Sequence, residues 1–399
     1  MRNPERLDRI QLALRKHQWD FMVCALPKNV LLLSGYWPVV GTSVAVASAN
    51  GQVALLVPED EEELALQGWA DPVRTFQAAS LDHITTPQEQ IRDPLRELIG
   101  RFSRGSVRIG FETGGTFEPA SYAAMHSYIG AMQSLLCETF SGSTIIPADQ
   151  VLADLRERKT EFEIQQLRVA CDIARAAFSH GSAQIRVGES ELETAAQFRQ
   201  PLSTSPGALR QLNRADGFAW CMSGANSALA AGAYARSRSK RIEPKDLVLV
   251  HMNSYSAGYW TDITRTYVAG QPDHRQQQMY DAISAARQAA LNAIRPGAKA
   301  SDVDGAARDV LNARGFGPQF KHSTGHGVGF SAIDAGVKPR LHPQSEDTLE
   351  AGMVFNVEPA IYFDGYGGIR HCDMVAVTDS GAEVLTPFQN CTADLCVGG

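Results

Sequence analysis

Apolar residues recur with two different spacings along this chain, and the change between them divides it in two. Residues 5–17 carry Leu7, Ile10 and Leu14 on one face, with Leu12 beside them, which predicts a helix. Three apolar runs of strand length follow: Phe21–Leu26, Ser43–Ala49 and Val53–Val57. Asn50-Gly51 between the last two predicts a hairpin, because both residue types tolerate positive φ. Glu59–Gln67 reads as a helix, Val107–Glu112 as a strand and Ser121–Ile129 as a helix. The mixture predicts an α/β domain over 1–150, ending near Ile146-Pro147-Ala148.

From Val151 the period lengthens. Leu152–His180 reads as one long helix, with Lys159, Glu161 and Glu163 on its charged face and Leu167, Ala170 and Ala174 on its apolar one. Further helices are predicted over Glu189–Arg199, His274–Ala293 and Ala300–Ala313, the last two punctuated by Pro296-Gly297. Strands are predicted over Leu247–Ser254, Tyr259–Val268, Met353–Phe363 and Gly368–Val377. Helices followed by paired hairpins indicate an α+β second domain, 151–399, with a curved antiparallel sheet.

Composition narrows the class of protein without naming a function. The chain has 399 residues, 44% of them apolar, and a net charge of −7 spread along its length. That balance argues against a nucleic-acid surface. No apolar run reaches the roughly 20 residues of a membrane span, and the amino terminus has no apolar signal region. Seven scattered cysteines (24, 137, 171, 221, 372, 391 and 396) fit reduced thiols, so the expected compartment is the cytoplasm.

Chemistry concentrates around one histidine. His326 lies in Ser323-Thr324-Gly325-His326-Gly327-Val328-Gly329, and Asn356-Val357-Glu358-Pro359 follows 32 residues later. Flanking glycines admit close approach of backbone or ligand to the imidazole. Folding the 247–268 hairpin about Ser256 and Ala257 sets His251 opposite Asp262, with Cβ atoms roughly 5 Å apart. Folding the 353–377 hairpin about Gly365 sets Glu358 opposite Cys372. Alternation puts Arg370 on the Cys372 face and turns His371 and Asp373 away. Singly, each residue is as well explained by a satisfied core or strand-edge position. Together, two imidazoles, two carboxylates and a thiol form a metal-ligand vocabulary.

The motifs Gly258-Tyr259-Trp260-Thr261-Asp262-Ile263-Thr264-Arg265-Thr266, Thr324-Gly325-His326-Gly327-Val328-Gly329, Leu349 to Pro359 and Gly368-Ile369-Arg370 resemble those of the pita-bread family. That family holds Xaa-Pro aminopeptidase, prolidase, methionine aminopeptidase and creatinase. Asn29 to Gly35 resembles its creatinase-type N-terminal domain, and Arg156-Glu157-Arg158-Lys159 its linking helix. The resemblance implies a ribonuclease-H-like α/β N-terminal domain before a pita-bread catalytic domain. It also implies a two-metal site of two aspartates, one histidine and two glutamates. Asp262, His326 and Glu358 keep three of those positions, while His251 and Cys372 stand at the other two. Ile333 stands where peptidase members carry a second histidine, and Ala231-Gly232-Ala233-Tyr234 lacks another.

Charge sets the expected number of ions. Four family carboxylates balance two divalent cations, whereas Asp262 and Glu358 supply two charges, or three if Cys372 ionises. The expectation is therefore one divalent transition metal (zinc, iron or cobalt ahead of manganese) held by Asp262, His326, Glu358, His251 and Cys372, or none. The expected activity is hydrolysis of a C–N bond in a small-molecule or short-peptide substrate. Asp262, His326, Glu358 and His251 are the candidate catalytic residues, and Arg340 and Arg370 the candidate carboxylate grips. Four alternatives stand beside this. They are metal-free acid–base hydrolysis as in creatinase, a Cys372 nucleophile, carbon–sulfur lyase chemistry, and a non-catalytic binding module. The resemblance further implies a homodimer, through the loop at Tyr36-Trp37-Pro38-Val39.

Overall fold

The computed structural model describes residues 3–78, 81–82, 84–100, 105–114, 129–204, 214–232, 236–334, 336–389 and 392–397. The expected helix Ser121–Ile129 lies outside them, except that Ile129 opens a helix running to Thr139. Two compact units form, Met1–Arg156 and Glu157–Gly399.

The first unit is built on a six-stranded sheet. Its strands are β1 (Phe21–Cys24), β2 (Val44–Ser48), β3 (Val53–Pro58), β4 (Val73–Phe76), β5 (Arg108–Phe111) and β6 (Thr144–Pro147), in the order β4-β3-β2-β1-β5-β6. β1, β2 and β3 pair antiparallel, and the outer pairings are parallel. Both faces are covered, so β1, β2 and β3 are buried at every position and read as continuous apolar runs. The Pro27–Ser34 helix was not expected from the sequence. Its run Val30–Leu33 is buried all round and carries no helical stripe to detect.

Where the units meet in sequence, one expected helix divides. The expected helix Leu152–His180 is two helices, Asp149–Glu157 and Glu161–Gln184. Thr160 accepts from the Glu163 N–H, and Glu163 accepts in return from the Thr160 N–H. That capping box starts a new helix inside one apolar period.

A four-stranded sheet carries β7 (Ala215–Ser223), β8 (Leu247–Ser256), β9 (Tyr259–Ala269) and β15 (Cys396–Val397), in the order β15-β9-β8-β7. Between β9 and β15 in sequence come β10 (Val354–Val357), β11 (Ala360–Phe363), β12 (Gly367–Arg370), β13 (Asp373–Thr378) and β14 (Gly381–Val384). β10 pairs with β13 and β11 with β12. The helices His274–Ala293 and Ala300–Ala313 have the expected bounds, and their apolar faces join β8 and β10–β13 in one core. Strand β7 was not expected; it opens on Ala215-Asp216-Gly217, and its burial does not alternate along its length.

Candidate functional site: two ribbons and a histidine

The first ribbon shows a register different from the expected one. Ala257 and Gly258 both take positive φ, 49° and 85°, so the tight turn centres on them rather than on Ser256-Ala257. Asp262 therefore faces Asn253, and His251 faces Thr264. A slip of two residues preserves the face of every side chain. His251 and Asp262 still meet diagonally, with Nδ1 and Oδ1 3.5 Å apart.

The second ribbon keeps the expected register over its whole length. It places Val357 opposite Asp373 and Ala360 opposite Arg370. Its regular pairing lapses between those pairs, where Glu358-Pro359 faces His371-Cys372 and His371 N–H gives the Pro359 carbonyl one long bond of 3.3 Å. Proline has no N–H to give, and the break releases the flanking backbone from strict pairing. Both altered-ladder residues of interest, Glu358 and Cys372, sit in that gap.

His326 is delivered by backbone contacts. Its carbonyl accepts from Asn356 N–H (3.0 Å), and Glu358 N–H donates to the Thr324 carbonyl (2.8 Å). A Cβ on Gly325 would lie 1.9 Å from the Asn356 carbonyl oxygen, so only glycine permits this approach. Asp304, buried beneath, accepts from the Thr324 N–H and hydroxyl at 2.9 and 2.8 Å.

Four of the expected residues, joined by Arg370 and Cys372, thus come together. His326 Nε2 lies 3.3 Å from Asp262 Oδ2 and 4.0 Å from Glu358 Oε1. Arg370 Nε lies 3.8 Å from Glu358 Oε2 and donates to Thr264 Oγ1 at 3.0 Å. Cys372 gives its S–H to the Asp262 carbonyl at 3.3 Å. Arg340 is not part of this group. Its side chain is 61% exposed, and its Nε and Nη2 are both engaged by Asp347 at 3.1 Å. The sequence does not reveal that partner, because six residues of loop separate the two.

Electrostatics sort the two imidazoles. Burial pushes His251 down to about 4, against the pull of Asp262 and with help from the charges of Arg370 and His326. His251 is therefore neutral near pH 7, its Nδ1 3.0 Å from Thr264 Oγ1 and its ring stacked on Trp220 at 5.5 Å. Burial acts downward on His326 too. There the hydrogen bond and charge of Asp262, with the charge of Glu358, win and raise it to about 9. The Asp262 carboxyl is held below its usual range: burial raises it, but His251, His326 and Arg370 outweigh that. Burial pushes the Cys372 thiol well up, so no thiolate forms near neutrality.

Sequence reasoning missed Asn356. Its Oδ1 accepts from His326 N–H (2.7 Å), while its Nδ2 lies 3.1 Å from His326 Nε2 and 3.6 Å from Cys372 Sγ. The signal was available, since alternation puts Asn356 on the face of Glu358 two residues on. Trp220 was missed because β7 was.

The protein is thus a two-unit α/β and α+β enzyme of pita-bread architecture, with a carboxylate–imidazole site on its second unit's ribbons. It belongs to metallopeptidase family M24, whose description residues 165–379 match, and residues 6–158 match a creatinase/prolidase N-terminal domain. A Xaa-Pro dipeptidase of Pyrococcus furiosus is 31% identical over 385 residues, covering 96% of this chain and 97% of that one. The prolidase structure from Pyrococcus horikoshii superposes with TM-score 0.73 at 28% identity, covering 96% and 98%. An X-Pro aminopeptidase structure from Thermotoga maritima gives 0.78 at 22% identity, over 95% and 99%, a likeness of fold. The chain is a prolidase-like hydrolase of C–N bonds.

As a metal cage the five expected ligands do not fit. Among the described residues, no group of three or more His, Cys, Asp or Glu side chains is disposed to hold an ion. His251 Nδ1 is turned to Thr264, and the Cys372 sulfur keeps a proton on the Asp262 carbonyl.

Proposed function

We propose that this hydrolase cleaves a C–N bond in a small-molecule or short-peptide substrate by acid–base catalysis, with His326, Asp262 and Glu358 as the reacting groups. The observation that carries the reading is Asp262 Oδ1. It is a buried carboxylate oxygen with no hydrogen-bond partner among the described residues. A buried acceptor left open is costly unless a ligand or water completes it. Glu358 is placed to take a proton from attacking water. His326, protonated near neutrality, gives one to the departing nitrogen. Arg370 is the grip for a substrate carboxylate, since it alone of the two candidate arginines reaches the group. Trp220, whose indole stacks on His251, also lines a cavity of about 500 Å³ with Arg199, Arg236 and Leu192.

The test is a hydrolysis panel of Xaa-Pro dipeptides, simple amides and amidines, run with and without chelator on protein assayed for metals. Turnover of any C–N substrate that survives chelation and is lost in His326→Ala supports the reading. Absence of turnover across the panel, with a stoichiometric protein partner in solution, replaces it by a binding module. One metal ion is the second reading. It is favoured by family membership and by the His326 Nδ1–Gly327 carbonyl contact of 3.1 Å, which leaves Nε2 facing the carboxylates. Stoichiometric zinc, iron or cobalt whose removal abolishes turnover establishes it. A homodimer is part of the proposal, with Val39 and Val40 exposed at 52% and 67% beside the Tyr36 loop. Light scattering reads it directly.

A further inference from the structure

Cys372 stands in a gap of the backbone ladder, and the gap has a specific vacancy. Thr264 N–H and C=O both bond to Cys372, at 3.4 and 3.0 Å, forming an isolated antiparallel bridge between β9 and the second ribbon. Backbone groups of alternate strand residues point to the same edge. Asp262, two residues before Thr264, therefore turns its carbonyl to that edge also. One step further in the same register it would accept from Met374. Met374 N–H instead donates to Thr386 Oγ1 at 3.1 Å. The buried Asp262 carbonyl is thereby deprived of its ladder donor, and the Cys372 S–H takes the place at 3.3 Å.

The cysteine is held from its other end as well. Its own carbonyl accepts from Arg265 Nη1 at 2.6 Å, and that fully buried guanidinium also donates to Asp373 Oδ1 at 2.6 Å. Asn356 Nδ2 approaches the sulfur from the site side at 3.6 Å. The sulfur thus accepts from one neighbour and donates to another, an arrangement that needs its proton. A thiolate could not donate, and it would face the carbonyl oxygen as one acceptor against another. Hydrogen bonding to Asp262 and ligation of an ion are mutually exclusive states of this one atom.

We propose that Cys372 is a positioning residue: its S–H, donated to the Asp262 carbonyl, locks β9 to the second ribbon and aims the Asp262 carboxylate at His326, in place of binding metal. The kinetic arm of the test rests on the hydrolase reading; the spectroscopic arms do not. Three variants separate the roles. Cys372→Ser keeps a donor, Cys372→Val matches the size without one, and Cys372→Ala is the fallback if valine does not fold. In the full-length protein, serine retains kcat within about threefold, whereas valine or alanine loses about tenfold or more at little changed KM, the worth of one hydrogen bond. Thermal midpoints of the serine and valine variants stay close, because the pocket volume is kept.

Infrared difference spectra between wild type and Cys372→Ser are expected to show a buried, hydrogen-bonded S–H stretch that shifts when the Asp262 carbonyl is isotope-labelled. Titration with Co²⁺ is expected to give no thiolate-to-cobalt charge-transfer band. A band present in wild type and absent in Cys372→Ser overturns the proposal, as does valine matching serine in kcat. A missing S–H stretch overturns it whether or not any substrate is turned over. Turnover failing across every substrate would sink the hydrolase reading alone, leaving the infrared and cobalt results to decide the role of the sulfur.

Discussion

At the scale of single residues, the site is governed by which partner outweighs burial. His326 has two carboxyls within 4.0 Å and goes up; His251 has one, diagonally, with opposing cations beyond, and goes down. If His326 is the acid, kcat/KM holds through neutral pH and falls as pH rises through about 9. Asp262→Asn removes the group that raises it. The expected result is a loss of about 10²-fold or more, with the alkaline limb moved toward lower pH in the residual rate profile. The same sign applies to stability. A histidine raised in the fold contributes fully below its unfolded value and loses that contribution as pH climbs through about 9. The two arginines are expected to separate cleanly. Arg370→Gln raises KM at least about tenfold for carboxylate substrates, while Arg340→Gln changes kcat/KM by no more than about twofold. Steady-state kinetics on one acidic substrate checks both.

At the scale of elements, the ribbons and the glycine-rich segment act as a jig. Gly325→Ala must move either the His326 segment or the Asn356 carbonyl, since the contact would be 1.9 Å. The expected cost is about 1–3 kcal/mol in chemical denaturation, with a larger fractional loss of activity than of stability. A variant with full activity and unchanged midpoint would show that the approach is not required. This level was partly legible in the sequence. The second ribbon's register followed from Gly365 alone, because one turn fixed Val354 against Ala376 as well as Ala360 against Arg370. The first ribbon slipped because Ala257, a residue that seldom takes positive φ, shares the turn with Gly258. Periodicity could not reveal the split at Thr160, since the apolar stripe continues across the cap. Nor could it show that Arg340 is held by Asp347, a contact made by the fold of one short loop rather than by pattern.

At the scale of the whole molecule, buried charge is placed where it holds backbone. Arg265 and Asp373 are fully buried, and Arg287 also engages Asp373. Burial would raise the Asp373 carboxyl, but Arg265, His371 and Arg287 hold it far below its usual range. That contribution is present above the unfolded carboxylate value and is lost as pH falls below it. Asp373→Asn strands a guanidinium and is expected to cost about 3–5 kcal/mol in denaturant unfolding. The first unit carries the opposite case. Burial pushes Glu112 up to about 7, although the Ala25 and Leu26 N–H groups and Asn29 Nδ2 donate to it. Its contribution is full below about 4.5 and is lost as pH rises through about 7, so Glu112→Gln should flatten the pH dependence of the thermal midpoint across that window. No helix among the described residues is long and apolar enough to cross a membrane.

The two-residue gap in the second ribbon has one more implication. Because pairing resumes in step on both sides of Glu358-Pro359 and His371-Cys372, the second ribbon's own register does not depend on the side chains inside the gap. Such a window lets the reactive groups be exchanged while the surrounding pairing stays as it was.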